Sequence, residues 1–351
     1  MTIRSLLLAA VAASALSTAS ATLAQTAAPA LEVVASLPIR PGNVTVAPGG
    51  RVFASIHPLG SPKIQLVEIK NGEAKPYPTA AQQKNGEAPS DKALDTPLGV
   101  TVDKSNRLWT IDMGLGLGKA RLWAFDLSAD KILETIELPA DVAPKGSFLQ
   151  DLAIDERNGW AYLADIAPPG IVAVDLKSKK ARRFEAPVLQ SEDKDMVIDG
   201  KVIQFGGKPA RVGINPVTLS ADRETLYFGA MNGTAWYGLP AKLFRDGADD
   251  KAIAAAIRKV GDKPISDGAA TDAAGNHYFT DLQAHGISRL GSDGKLTQIL
   301  RDDRLQWPDN VAVGPEGRIY ISVNQLTTTP AFTGGADTGK APYFIYRFKT
   351  P

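Results

Sequence analysis

The chain has 351 residues, of which 44% are hydrophobic, 22% charged and 7% aromatic, the make-up of a folded globular protein rather than a disordered or fibrous one. Its 39 basic and 38 acidic residues leave a formal charge of +1, which removes the electrostatic footprint of a nucleic-acid or anionic-membrane binder. With no cysteine, and with only His57, His277 and His285, the chain has no disulfide framework, thiol nucleophile, Fe–S cluster or thiolate zinc site.

Residues 1–24 open with Arg4, run apolar from Leu6 to Leu16 and end in small residues, the layout of a secretory signal peptide. Cleavage after Ala21 or after Ala24 fits the small-residue rule. The apolar stretch is shorter than the roughly 20 residues that a transmembrane anchor needs. An exported protein, secreted or periplasmic and without a transmembrane anchor, is therefore expected, with residues 25–30 as a flexible lead.

From there one pattern recurs six times: a short β-type run, a tight turn rich in Asp, Asn, Gly or Pro, and a second run carrying an aromatic. In chain order the first runs begin near Asn43, Gly99, Asp151, Pro216, Gly268 and Asn310, and the aromatics are Phe53, Trp109, Tyr162, Tyr227, Tyr278 and Tyr320. The aromatics are spaced by 56, 53, 65, 51 and 42 residues, and each unit holds two hairpins, the content of one propeller blade. Second hairpins are legible at Arg121–Leu138, Gly170–Phe184 and Gly286–Leu300, where alternation has a period of two. An all-β fold follows, a six-bladed β-propeller spanning 31–351 as a single domain. Only one strand, Tyr343–Phe348, remains after the sixth aromatic, so Leu31–Leu37 is expected to close the last blade and hide two sheet edges. One helix is expected between Asp249 and Val260, capped by Asp249 or Asp250. The long spacing of 65 marks an insertion over Ala186–Val212, a polar loop placed to drape over one face.

In a propeller the start of each inner strand and the end of the next strand emerge on the same face. Blade by blade the first positions are Gly42, Leu98, Gln150, Asn215, Asp267 and Asp309, followed by Asn43, Gly99, Asp151, Pro216, Gly268 and Asn310. The strand ends are His57, Asp112, Asp165, Asn232, Asp281 and Asn324. Such a ring of oxygen-bearing groups suits a hard divalent cation such as Ca2+, or a small polar ligand. Taken singly, each Asp or Asn has a simpler role, capping a turn through backbone amides. As a set they bring several carboxyls together, which calls for a cation, a shifted pKa or solvent between them. Asp267 and Asp309, from adjacent blades, are the candidate acid/base or metal pair, with His57 as a proton shuttle or amine partner. His277, beside Tyr278, reads as packing. The stretch Gly114–Lys119 lacks the P-loop spacing and opens a strand, so it reads as a loop, and no Gly-x-Ser-x-Gly elbow or zinc-type His pair is present.

The blocks Gly42–Val46 through His57, Asp151–Asp155, Ser266–Gly268 through Leu282, Leu239–Leu243, and Trp307–Asn310 through Leu326 resemble those of the major royal jelly protein and yellow family, bacterial L-dopachrome tautomerase-related members included. The resemblance covers about residues 31–351 and implies a secreted six-bladed propeller. It is also similar, more distantly, to gluconolactonase and regucalcin propellers, which hold a divalent metal in the channel. Carried over by position, Asn215 and Asp267 match that group's Asn and catalytic Asp, and Gln150–Asp151 fall where a substrate-side pair lies. The Glu position is Gly42 here, a lost anionic ligand unless Asp309 substitutes.

Two functions follow as expectations. The first is an enzyme acting on a small oxygenated molecule by tautomerase-like proton transfer or metal-assisted lactone hydrolysis, with Asp267 as base, Asn215 and Gln150 orienting the substrate, and Asn215 and Asp267 as the metal ligands. In it Gln150, Asp151, Asp309, Asn310, His57, Asp112, Asp281 and Asn324 line the ligand. The second is a non-catalytic exported binder of an aromatic amine. A protein-interaction platform has no support beyond the insertion.

Overall fold

A computed structural model describes residues 29–350. Six four-stranded antiparallel sheets succeed one another along the chain. Their innermost strands are Pro41–Val46, Pro97–Val102, Leu149–Asp155, Ile214–Leu219, Ala269–Thr271 and Pro308–Val313. Each packs on its neighbours in order, and the sixth packs on the first, so the ring is closed: a six-bladed β-propeller. The expected signal peptide and residues 25–28 of the expected lead lie outside the described residues. Among the described residues no helix is long and apolar enough to cross a membrane.

The apolar faces of the strands meet blade against blade. Trp109, Ile111 and Leu122 pack on Leu152, Leu163 and Val172 between blades 2 and 3, and Tyr162, Phe184 and Phe228 fill the space between blades 3 and 4. Of the six repeated aromatics all but Tyr227 are buried, and Tyr227 stacks edge-on against His277 at 4.5 Å. Closure is as expected: Glu32–Leu37 pairs with Tyr343–Lys349, placing Leu37 opposite Tyr343. Glu32 then bonds Arg347 at 2.8 Å and Arg318 at 3.2 Å.

The segment expected as one helix over Asp249–Val260 divides in two. Helix ends at Ala256, with the Asp249 carboxylate accepting the Ala252 amide at 2.7 Å, and Arg258–Asp262 is the outermost strand of blade 4. Only Ile253 of the helix is buried, so little holds the next turn, while the free edge of Ala235–Pro240 offers ladder partners, Tyr237 facing Lys259. Two further helical turns occur, at Lys242–Arg245 and Pro330–Thr333.

The Ala186–Val212 insertion is not a plain loop. It carries two small hairpins, Val197–Ile198 with Lys201–Val202 and Gln204–Phe205 with Lys208–Pro209. Their turns are Asp199–Gly200 and Gly206–Gly207, all four residues at positive φ, the geometry that matches strand twist in a two-residue hairpin.

Candidate functional site

Five of the six inner strands break register at the same place. Two inner-strand residues lie where the partner strand offers one: Gly42–Asn43, Leu98–Gly99, Gln150–Asp151, Asn215–Pro216 and Asp309–Asn310. In a regular strand consecutive side chains point to opposite faces, and a bulge re-aims them. Hydroxyls on the second strand take up amides at the bulges of blades 1 and 6 and at the start of blade 5, which has no bulge. Ser55 accepts the Asn43 amide (3.0 Å), Ser322 the Asn310 amide (3.2 Å), and Thr280 both the Asp267 and Gly268 amides (3.0 Å each).

At the pole where inner strands begin, Asp267 is the hub. Its Oδ1 accepts from Gln150 and Asn215 and its Oδ2 from the Trp307 indole, each at 2.7 Å. Asp309 takes one donor on Oδ2, the Asn324 amide at 2.6 Å, and its Oδ1 has no partner. The oxygens of Asn215 and Asn324 are also buried without a partner, because each amide turns its NH2 to a carboxyl. His57 Nδ1 accepts the Leu59 amide at 3.2 Å, which leaves Nε2 4.0 Å from Asp309 Oδ2. These seven residues are at most 5% exposed.

Burial dominates the electrostatics. It pushes Asp267 up to about 7 despite the three donors, which favour the ionised form. Asp309 lies well above the usual carboxylate range through burial and the nearby charges of Asp267 and Asp151. Burial, then the Arg40 guanidinium, pushes His57 down to about 3, so the imidazole is neutral. The pair thus combines a carboxylate braced by three N–H groups with a neutral acid.

One layer further along the channel, Asn43 donates directly to Asp151 across blade 2. That bond exists because blade 2 carries Gly99 there, where a Cβ would lie 2.6 Å from the Gln150 carbonyl. Asp151 is pushed up to about 7, mainly by burial, and Asn310 Oδ1 accepts the Val44 amide at 3.2 Å. Beyond this bar a cavity of about 530 Å3 runs to the opposite face, walled by Thr45, Thr101 and Thr218 and rimmed by Lys104. Asp151, Asn43 and Asn310 line it; Asp267 and Asp309 do not.

Not all the expected ring residues join the site. Asp112 accepts the Asp95, Thr96 and Gly114 amides and pairs with Arg121 at 2.7 Å. Asp165 does the same with Phe148, Ala167 and Arg183, and Asp281 accepts from Ser288 at 2.9 Å. Asp112 and Asp165 hold the chain segments that enter their blades, and Asp281 ties down the next strand of its own blade. His277 packs between Tyr227 and Trp236, and His285 bonds Asp199 at 2.9 Å, tying the insertion to blade 5. The glycine-rich loop wraps an internal anion: Asp95 Oδ2 accepts the Gly116 (2.6 Å) and Leu117 (3.1 Å) amides.

The pole is covered. Met196 and Ile198 of the insertion pack with Met231, Ile265, Leu282, Trp307 and Leu326 over the strand ends. The blade 6 loop meets the insertion there, Gly206 N–H donating to the Ala331 carbonyl at 3.0 Å, and Arg40 latches that loop through Asp337 at 2.7 Å. Trp307 and the hydroxyls Ser55, Thr280 and Ser322 were not among the site residues expected from sequence. Their signals were an aromatic immediately before Pro308-Asp309, and a Ser or Thr two residues after Phe53, Tyr278 and Tyr320.

The metal set implied by lactonase-like propellers does not fit these residues. A Cβ at Gly42 would sit 2.6 Å from Leu98 Cδ1 and 2.7 Å from Ser55 Oγ, so packing occupies the place of an acidic ligand. Asn215 offers Asp267 its NH2 rather than sharing an ion through oxygen. Among the described residues no three His, Asp or Glu side chains are grouped to hold a metal.

The class that this architecture defines is the six-bladed propeller with a polar channel. Residues 96–336 match the family model described as Major royal jelly protein, more than half of the chain, and the chain belongs to that family. Relatives include Protein yellow of Drosophila melanogaster, 26% identical over 193 residues (50% of this chain, 35% of that protein). Major royal jelly protein 1 of Apis mellifera is 26% identical over 163 residues (42% and 37%). The chain thus spans only about a third of the length of the curated relatives it matches. Among solved structures, a gluconolactonase from Xanthomonas campestris superposes with TM-score 0.56 at 14% identity over 92% of this chain and 89% of that one. A calcium-binding regucalcin from Agrobacterium tumefaciens gives 0.54 at 14% identity, covering 92% and 96%. At that identity the likeness shows the fold.

Proposed function

We propose that the protein is an exported enzyme that binds a small hydroxyl- or amine-bearing molecule at the covered pole of its channel and moves a proton on it. The observation that carries this reading is the unequal pair: Asp267 braced by three N–H donors, Asp309 holding one donor and an unpartnered oxygen. Two neighbouring carboxyls whose surroundings separate their protonation states form an acid and a base. Asp267 removes a proton from the ligand, Asp309 returns one at a second atom, and exchange between the two carboxyls resets the pair. The net change is an isomerisation. Gln150 and Asn215 orient the base, and His57 is neutral beside Asp309. The unpartnered oxygens of Asn215, Asn324 and Asp309 accept hydrogen bonds, which favours a ligand rich in O–H or N–H donors. Export rests on the sequence pattern of residues 1–24.

A second reading, binding of an amine without chemistry, is favoured by one feature: the cavity of about 530 Å3 ends on Asp151 and not on the pair.

The test is incorporation of solvent deuterium into hydroxyketones, catechols, aromatic amines and lactones, followed by NMR. Exchange catalysed by the wild type is expected to fall at least about 100-fold in Asp267→Asn, the scale of general acid–base catalysis. Equal exchange in a folded variant overturns the assignment. Binding without exchange, weakened by Asp151→Asn, supports the second reading.

A further inference from the structure

The three donors of Asp267 belong to different parts of the molecule. Gln150 and Asn215 stand in inner strands, fixed by their bulges. Trp307 stands on the link between blades 5 and 6, on the underside of the cover, with φ at +58°, a left-handed conformation that an aromatic residue keeps only where its surroundings impose it. Its ring meets Phe332 at 5.2 Å, and Phe332 meets Phe205 at 5.1 Å. The row Trp307–Phe332–Phe205 thus joins the base to both flaps of the cover.

The flaps are held differently from the blades. The insertion hairpins have strands of two residues each, and Phe205 at the outer end of the row is 48% exposed. Side-chain contacts rather than ladder bonds fasten the edges: Val197 N–H donates to Gln283 Oε1 at 2.8 Å, His285 bonds Asp199 at 2.9 Å, and Arg40 forks onto Asp337 with two bonds of 2.7 Å. Units with so few ladder bonds open at lower free energy than the sheets beneath them.

We propose that Trp307 couples the cover to the acid pair: closure completes the donor set around Asp267, and lifting the cover withdraws the indole N–H while Gln150 and Asn215 stay in place. The proposal rests on the reading of Asp267 and Asp309 as the working pair, and gives Trp307 a positioning role. An open molecule admits ligand with the base under-braced; closing around the ligand shuts out water and restores the base at the same moment. The charged and titratable neighbours do not duplicate this effect. Asp309 and Asp151 face Asp267, His57 faces Asp309, Arg40 faces His57, and the Lys263 ammonium is taken up by the Gly233 and Pro264 carbonyls at 2.8 and 2.9 Å.

The experiment is an infrared titration of the buried carboxyls in the ligand-free protein, with the Asp267 band assigned by Asp267→Asn. Trp307→Phe is expected to raise the Asp267 midpoint by about one pH unit, the loss of one hydrogen bond to the ionised form. Phe205→Ala and Phe332→Ala, which leave Trp307 intact, are expected to move it the same way by less, with faster proteolysis within residues 196–211. An unmoved midpoint in Trp307→Phe overturns the proposal. So does a shift in Trp307→Phe with none in either Phe variant, and those two decide the matter if Trp307→Phe does not fold. The titration needs neither ligand nor turnover, so it stands apart from failure of proton transfer, which the deuterium exchange of Asp267→Asn reads on its own.

Discussion

Asp309 is a buried acid with an unpartnered oxygen, kept where one amide and a neutral imidazole are its nearest polar company. Because burial raises its proton affinity above that in the unfolded chain, its contribution to stability is present below about pH 4 and is lost as pH rises through its native pKa. Asp151, pushed up to about 7, adds a loss between about pH 4 and 7 with the same sign. His57 acts in the opposite sense: pushed down to about 3, it contributes fully above about pH 6.5 and loses that contribution as pH falls through 3. Asp309→Asn keeps the Asn324 bond and removes the ionisable group. Thermal unfolding should therefore show it more stable than wild type at pH 8, by roughly 1–3 kcal/mol, with a smaller difference at pH 5. Proton transfer should be lost in the same variant, as expected where a site holds strain for function. A variant less stable at pH 8 would show that the carboxyl is not a burden there.

At the scale of the element, bulges place Gln150, Asn215 and Asp309, while Asp267 precedes the unbulged inner strand of blade 5 and is held by a second-strand hydroxyl. Thr280 carries two amides at once, those of Asp267 and Gly268. Thr280→Val is nearly isosteric and leaves both N–H groups buried without acceptors, a cost of about 1–3 kcal/mol. Calorimetry should show that loss, and the deuterium-exchange rate should drop with it because Asp267 is no longer held. Unchanged stability would mean that the amides find other acceptors. The bulges themselves were not legible from alternation, since a register break needs the partner strand's count of residues. The hairpins of the insertion were legible in principle: Asp199–Gly200 and Gly206–Gly207 are the turn pairs that two-residue hairpins demand.

The whole molecule is held by ring closure. The first described strand, Glu32–Leu37, is the outer strand of the last blade, and its Ala35 and Leu37 are buried in the packing between blades 6 and 1. Starting the chain at residue 39 exposes the edge of Tyr343–Lys349 and opens that packing. Calorimetry and light scattering should then show a broadened, lower transition and self-association. A monomer with an unchanged transition would show that the strand is dispensable.

Period-two alternation and recurring turn residues, set against the six aromatic spacings, determined the six blades and their closure, because a blade is a local unit whose pattern is written in consecutive residues. The same count placed Gln150, Asn215, Asp267 and Asp309 at one pole, and all four meet there. Sequence placed Asp112, Asp165 and Asp281 at the strand ends of the same face and could not show that they are taken up by local amides and Arg121, Arg183 or Ser288. Only the tertiary structure decided which carboxyls stay unpaired, that Trp307 donates to Asp267, and that Leu98 and Ser55 pack against Gly42. The physical reason is reach: hydrogen bonds between Gln150 and Asp267, 117 residues apart, and a cover joining two loops from different blades depend on where the closed ring brings side chains together.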